Sequence, residues 1–325
     1  MNAMDLAGLL NRKRERAESL VHGLGTWTPP PIRNAATVCL LRTGADGPEI
    51  FLMRRNASMA FAAGMYVYPG GAVETSDSTV RLAGHVDLAE LGDRMFTEDP
   101  AALLAAAARE TFEECGVLLA VTADGGRVVW DDDLDVERAA LAASEIEFAD
   151  LLARRGLVVD DSALIPFAHW VTPAVEDRRF DTRFFVTSLP EGQEARHLGG
   201  EADRVAWWRP SAALAESAAG HLPLLTPTVA ALEMLAEHTD VASALAAAAL
   251  AEFAPLLPQP YVGADGEIAW RLVHARTGVT IDNLEATPPS ETDGVRGIRG
   301  AAKSGLVANP PVASAAEGSQ SGQMS

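Results

Sequence analysis

Apolar residues in this chain fall into short runs whose spacing alternates between the periods of strands and helices. "ATVCLLR" (36–42) and "EIFLMRR" (49–55) are compact apolar runs separated by "TGADGP", the pattern of two strands joined by a turn. "MYVYPGGAVE" follows, rich in aromatic and β-branched residues and broken by Pro69, Gly70 and Gly71, which predicts strand, tight turn, strand. Asp99 as N-cap, Pro100 at the first helical position and Gly116 past the last predict a helix over 100–115. "SEIEFADLLARRG" (144–156) predicts a second helix, and "LIPFAHWV" (164–171), "RFDTRFFVTSL" (179–189) and "RVAWWRP" (204–210) predict strands. Thr226-Pro227 and Asp240 open two more helices, the second alanine-rich through Phe253.

Strands that lead into a helix, further strands and then terminal helices fit an α/β layered domain with flanking elements. The expected organisation is a helical arm over 1–32, the main domain over 33–238, a helical extension over 239–285 and a tail over 286–325. That tail has no aromatic residue and is dominated by Gly, Ser, Pro and Ala, so disorder is expected there.

Composition narrows the choice of function. The 325 residues carry 26 basic and 45 acidic side chains, a formal charge of −19, which argues against nucleic acid or an anionic membrane surface as partner. An anionic ligand would need local arginines, a divalent metal, or both. Only Cys39 and Cys115 occur, one in an apolar strand-like run and the other on the helix predicted over 100–115, so no disulfide framework is suggested. No apolar run reaches the roughly 18 residues of a membrane span, and the N-terminus has no signal-like run, so a cytoplasmic setting is expected. Oligomeric state is not legible.

The candidate chemistry lies in "AARETFEECGVLLA" (107–120). On a helix, Glu110, Glu113 and Glu114 share one face, and like charges at this spacing cost about 0.2–0.5 kcal/mol per pair. Either the face is solvated or something positive sits on it. Arg109, Phe112 and Gly116-Val117 are the wrong furnishings for a purely solvent face, and the upstream "PGG" turn lets backbone approach a ligand closely.

These residues resemble the signature of the Nudix hydrolases. Gly71 stands at its start, Asp77 occupies the place of its first glutamate, and "RETFEECGV" (109–117) matches the remainder, with Thr111 replacing an aliphatic residue. Between Asp77 and Arg109 lie 31 residues where the signature has seven, which places an insertion at about 78–99. That split box, together with "HWVTP" (169–173), "RRFDTRFFV" (178–186) and "WWRP" (207–210), resembles the coenzyme A diphosphatase branch of the family. A surface loop of this length joins two halves of a site at modest entropic cost.

The resemblance implies an α/β/α sandwich with a mixed sheet and metal-dependent hydrolysis of an organic diphosphate. It makes Glu110, Glu113 and Glu114 ligands of Mg²⁺ or Mn²⁺, with a backbone carbonyl from the Gly71 region and a further carboxylate from Glu201. It makes Glu110, Arg109 and Glu113 the catalytic residues, with Glu110 as base or as base and ligand together and Arg109 orienting it. Asp77, one methylene shorter than glutamate, is given little weight as a ligand. Arg54, Arg55, Arg178, Arg179 and Arg183 are the candidate phosphate-binding side chains, each also able to pair with a surface acid. Coenzyme A or its acyl derivatives are the expected substrate class. NADH, ADP-ribose or a nucleotide sugar is the enzymatic alternative, and a nucleotide-sensing module without turnover is the alternative from another class.

Overall fold

In the computed structural model, residues 3–56, 62–196 and 202–281 are described. In chain order the elements are α1 (Ala3–His22), β1 (Ile32–Gly44), β2 (Gly47–Arg55), β3 (Tyr66–Val67), β4 (Gly70–Ala72), α2 (Leu88–Met95), α3 (Pro100–Cys115), β5 (Ala120–Thr122), α4 (Asp132–Ala142) and α5 (Phe148–Arg155). They continue with β6 (Leu157–Val159), β7 (Ile165–Val171), β8 (Arg179–Ser188), β9 (Ala202–Trp208), α6 (Pro210–Ala218), α7 (Thr226–Leu235), α8 (Val241–Leu250), β10 (Pro255–Val262) and β11 (Ile268–His274).

Nine strands form one mixed sheet. Its order is β11-β10-β7-β8-β1-β2-β3, with β4 pairing β1 and β9 pairing β2. β1 runs parallel to β8, and β7 runs antiparallel to β8. The period-2 alternation of the strands divides the interior into two cores. Ala36, Val38, Leu40, Phe51 and Met53 face a core shared with α3, whereas Cys39, Leu41, Ile50 and Leu52 face one shared with α6 and α7. Burial on both faces is why these strands read as continuous apolar runs.

α3 is buried along most of its length. Its alanines at 102 and 105–108 let it lie close to β1, and Asp99 Oδ1 caps the start by accepting from Ala102 N at 3.0 Å. Gly116 ends it at φ 69°, and a Cβ there would lie 2.6 Å from Arg138 Nη1. Arg138, on α4, is buried and donates from Nε to the Glu113 carbonyl at 3.0 Å, satisfying one carbonyl of the final turn. Thr111, where an aliphatic residue is expected, is fully buried and donates its hydroxyl to Ala107 O at 2.7 Å.

One expectation for the flanks changes, and the helical arm is given its docking site. The C-terminal segment expected to be helical contains α8, but then returns as β10 and β11 and widens the main sheet, β10 pairing β7 in parallel. The N-terminal helix docks on the loop before β8: Lys13 pairs with Glu176, Arg16 with Asp177, and Trp27 Nε1 donates to Ala174 O at 2.8 Å. The tail expected to be disordered lies outside the described residues. No helix among the described residues is long and apolar enough to cross a membrane.

Candidate active site

The strand-turn-strand around Pro69 and α3 meet at a buried arginine. Arg109, 4% exposed, donates from Nε and Nη2 to the two carboxylate oxygens of Asp77 at 2.8 and 3.0 Å, and from Nη2 to the carbonyl of Ala72 at 3.0 Å. Its Nη1 reaches Glu110 Oε1 at 2.9 Å and Glu113 Oε1 at 3.4 Å. One guanidinium therefore binds both halves of the split signature, with the bidentate fork on Asp77 that arginine favours. Asp77, 1% exposed, also accepts from Glu74 N at 2.8 Å, so both of its oxygens are used within the protein. It acts as the partner of Arg109 rather than facing a ligand.

The glycines of the turn are required by close approach. A Cβ on Gly71 would lie 2.5 Å from Glu110 Cδ, and Gly70, at φ 156°, donates its N–H to Glu114 Oε2 at 2.8 Å. Glu110 and Glu114 thus meet the turn, and Glu113 joins them through Arg109. Burial holds the Glu110 carboxyl above its ordinary range, although Arg109's charge and hydrogen bond pull the other way. Burial and the neighbouring Glu110 charge push Glu113 up to about 7, again against Arg109. Glu74, exposed beside them, adds to the negative field on both. It stands three residues from Gly71 and three from Asp77, a spacing that marks it only once the turn is known to fold onto α3.

The charges around Arg109 do not cancel. One cation faces Asp77, Glu110 and Glu113, and Glu114 adjoins on the same turn. Oxygen-only donors, a local excess of negative charge and a turn with no room for a side chain are what a hard divalent cation such as Mg²⁺ or Mn²⁺ requires, so the residues fit that group.

The arginines expected at the substrate are distributed differently. Arg54 is paired bidentately with Asp203 on β9, at 2.6 and 2.5 Å. Arg183, 2% exposed, is bound to protein acceptors throughout: Asp181, Asn34, and the carbonyls of Met95 and Phe96. Arg183 therefore does not face a ligand. Arg179 is half-buried and donates to Thr172 O at 3.1 Å, Arg178 is exposed in the turn before β8, and Arg55 closes β2. Glu201 lies outside the described residues.

A second group of potential ligand atoms lies elsewhere. His85 Nδ1 is 3.5 Å from Asp160 Oδ1 and 3.6 Å from Asp161 Oδ1, beside a cavity of about 110 Å³ lined in part by Arg81, Leu82 and Thr122. Both carboxylates have backbone duties. Asp161 accepts from His85 N and Val86 N, and Asp160 from Ser162 N and Oγ, which accounts for their placement.

A mixed sheet between helices, with a glycine turn folded onto an Arg-Glu-x-x-Glu-Glu helix, defines a Nudix-type protein. The chain belongs to that family: the NUDT19 Nudix domain matches residues 32–235. It is similar to the acyl-coenzyme A diphosphatase NUDT19 of Xenopus laevis (28% identical; 51% of this chain and 54% of that protein) and to that of Gallus gallus (30% identical; 48% and 55%). The chain spans about half the length of these relatives. Among solved structures, a Nudix hydrolase from Alicyclobacillus acidocaldarius is 31% identical with a TM-score of 0.57, over 66% of this chain and 96% of that one.

Proposed function

We propose that this protein hydrolyses the diphosphate linkage of an organic diphosphate, with coenzyme A or acyl-coenzyme A as the substrate class. The observation that carries the activity is the excess of carboxylates gathered around Arg109 by the two halves of the split box. The substrate class is supported by the acyl-coenzyme A diphosphatases it resembles.

In this reading Glu110, Glu113, Glu114 and a carbonyl of the Gly71 turn hold Mg²⁺ or Mn²⁺, with Glu201 as a further ligand. The cation supplies Lewis acidity: it polarises the phosphoryl oxygens and stabilises charge on the departing phosphate. Glu110 takes the proton from water as the water oxygen bonds to phosphorus and the bridging P–O bond breaks. Its burial raises its proton affinity, which favours its acting as a base. Arg109 holds Glu110 and Glu113 in place, and its anchor on Asp77 stops it from collapsing onto the ligands. Arg178 and Arg179, at the start of β8, are the remaining candidates for contact with substrate phosphate.

The test is Mg²⁺-dependent turnover of coenzyme A, an acyl-coenzyme A, NADH, ADP-ribose and a nucleotide sugar. Preference for the coenzyme A compounds is expected. Preference for another member of the panel overturns the substrate class alone, and binding without turnover of any of them overturns the activity in favour of a nucleotide sensor.

A further inference from the structure

The residues that carry the resemblance outside the box, His169, Asp181 and Arg183, form one buried cluster that no step of the hydrolysis uses. Arg183 lies opposite Ala36 in the β8–β1 register, and Ala36 lies opposite Gly71 in the β1–β4 register. Arg183 is therefore two strands from the glycine turn. Its Nη1 donates to Asn34 Oδ1 at 2.9 Å, and Asn34 in turn accepts Val73 N on its own carbonyl at 2.9 Å. This branch ends in the first half of the box, next to the Ala72 carbonyl that Arg109 grips.

The other branch ends in the insertion, just before α3. Arg183 Nε and Nη2 donate to Met95 O at 3.2 Å, and Nη2 to Phe96 O at 3.1 Å. These are the terminal carbonyls of α2, the helix of the insertion. Phe96 itself is left-handed (φ 55°), a conformation that costs a non-glycine residue energy and persists only where its surroundings impose it. Three positions later Asp99 caps α3, which carries Glu110, Glu113 and Glu114. Asp181 fixes the guanidinium with Oδ2 at 2.8 Å from Nη1 and accepts on Oδ1 from His169 Nε2. His169, buried between Phe96 and Phe253, is held neutral by desolvation, so its Nε2–H is the donor.

We propose that Arg183, oriented by Asp181 and His169, is a positioning residue that holds the two halves of the split box in register across the insertion. This rests on the reading of the box as the metal and diphosphate site. An insertion frees the turn and α3 from the short link that would aim them at each other. A guanidinium bonded to the strand that holds the turn and to the end of the helix that leads into α3 adds to the constraint Arg109 supplies, without touching substrate.

The test uses the full chain and four variants. Arg183→Lys keeps a charge beside Asp181 but cannot reach both branches. Asn34→Ala removes only the contact of Arg183 on the turn side and leaves the backbone bond from Val73 N in place, and Asn34→Asp restores an acceptor there. Melting temperature, kcat, KM and the affinity for Mn²⁺ by electron paramagnetic resonance are measured for each, with Glu113→Gln as control. We expect Arg183→Lys and Asn34→Ala to fold, to lower kcat by about tenfold or more, and to weaken Mn²⁺ several-fold with little change in KM, as small misplacements of reacting groups do. Asn34→Asp should recover most of both losses. Wild-type kcat and Mn²⁺ affinity in Asn34→Ala, with only a lowered melting temperature, would overturn the proposal, and this outcome decides the matter even if Arg183→Lys does not fold. If Glu113→Gln itself leaves Mn²⁺ binding unchanged, the reading of the box fails; if it abolishes binding while Asn34→Ala does not weaken it, the clamp alone fails.

Discussion

Two buried arginines organise this molecule, and their surroundings differ in one respect. Arg183 faces a single carboxylate, Asp181, and four further acceptors that are neutral: Asn34 and the carbonyls of Met95, Phe96 and Asp181 itself. Arg109 faces three carboxylates, Asp77, Glu110 and Glu113, with Glu114 adjoining. The first cluster carries no excess of negative charge. Desolvation, with the nearby charge of Arg276, lowers the proton affinity of Arg183, and His169 and Arg183 bring Asp181 below its ordinary range despite burial. In the second, burial raises Glu110 and Glu113 because one guanidinium cannot satisfy them all. A buried cluster without excess negative charge is structure, and one left negative is prepared for a cation.

The most severe way to break this comparison is to remove each arginine. Arg109→Met leaves Asp77 buried without a counter-charge and Glu110 and Glu113 repelling each other. Losing one partner of a buried pair typically costs about 3–5 kcal/mol, and Arg183→Met should fall in the same range. The two should part on adding Mg²⁺. The stability increment from the metal, measured by urea unfolding with and without chelator, should be larger in Arg109→Met than in the wild type and not larger in Arg183→Met. Equal increments would mean that the carboxylates around Arg109 do not receive the metal.

Next in size is the loss of single ligands. Glu113→Gln and Glu114→Gln should each lower kcat by about two orders of magnitude or more, the scale of lost transition-state charge stabilisation. Saturating and limiting Mg²⁺ should both show it. Wild-type kcat in both variants would remove α3 from the chemistry.

What sequence could foresee follows the range of the forces involved. α3 was legible to the residue because its signals are local: Asp99, Pro100 and Gly116 lie within the helix or beside it. The grouping of Glu110, Glu113 and Glu114 was legible because helical spacing alone puts them on one face. The partner of Arg109 was not, since Asp77 is 32 positions away and joins it only through the fold. Arg54 and Arg183 looked like phosphate ligands for the same reason: Asp203 and Asn34 each lie 149 positions off. β10, "PLLPQPYV", falls in the expected helical extension and its three prolines hide a strand, yet only Pro255 and Leu256 pair with β7, so Pro258 and Pro260 lie where no ladder on that side needs their missing N–H. α2, α4 and α6 were missed because their apolar faces are short and are defined by what they pack against.

A smaller effect concerns substrate choice. If coenzyme A is cleaved, its 3′-phosphate adds charge that the −19 protein must counter locally, and Arg178 and Arg179 are placed at the start of β8 to do so. Replacing both with alanine should lower kcat/KM for coenzyme A about tenfold more than for dephospho-coenzyme A, the scale of one lost charge-assisted contact. Equal losses would mean that these arginines contact the diphosphate or hold the loop.

A last effect reads the unbalanced cluster directly, in the metal-free protein. Glu113 holds its proton up to about pH 7 in the folded chain, against an ordinary value of 4.5. A carboxyl whose folded pKa is raised contributes stability that is fully present below 4.5 and lost as pH rises through about 7, because the folded state then binds more protons than the unfolded one. Glutamine at 113 cannot lose a proton and escapes this loss. In chelator, the melting temperature of Glu113→Gln relative to wild type should therefore climb between pH 5 and pH 8, and saturating Mg²⁺ should reverse the difference at pH 8 by engaging the ionised carboxylate. The titration of Asp181, whose pKa is lowered, has the opposite sign but is common to both proteins and cancels in the comparison. A constant difference across this range would place Glu113 in an environment as free of excess negative charge as that of Arg183, and the contrast between the two clusters would be lost.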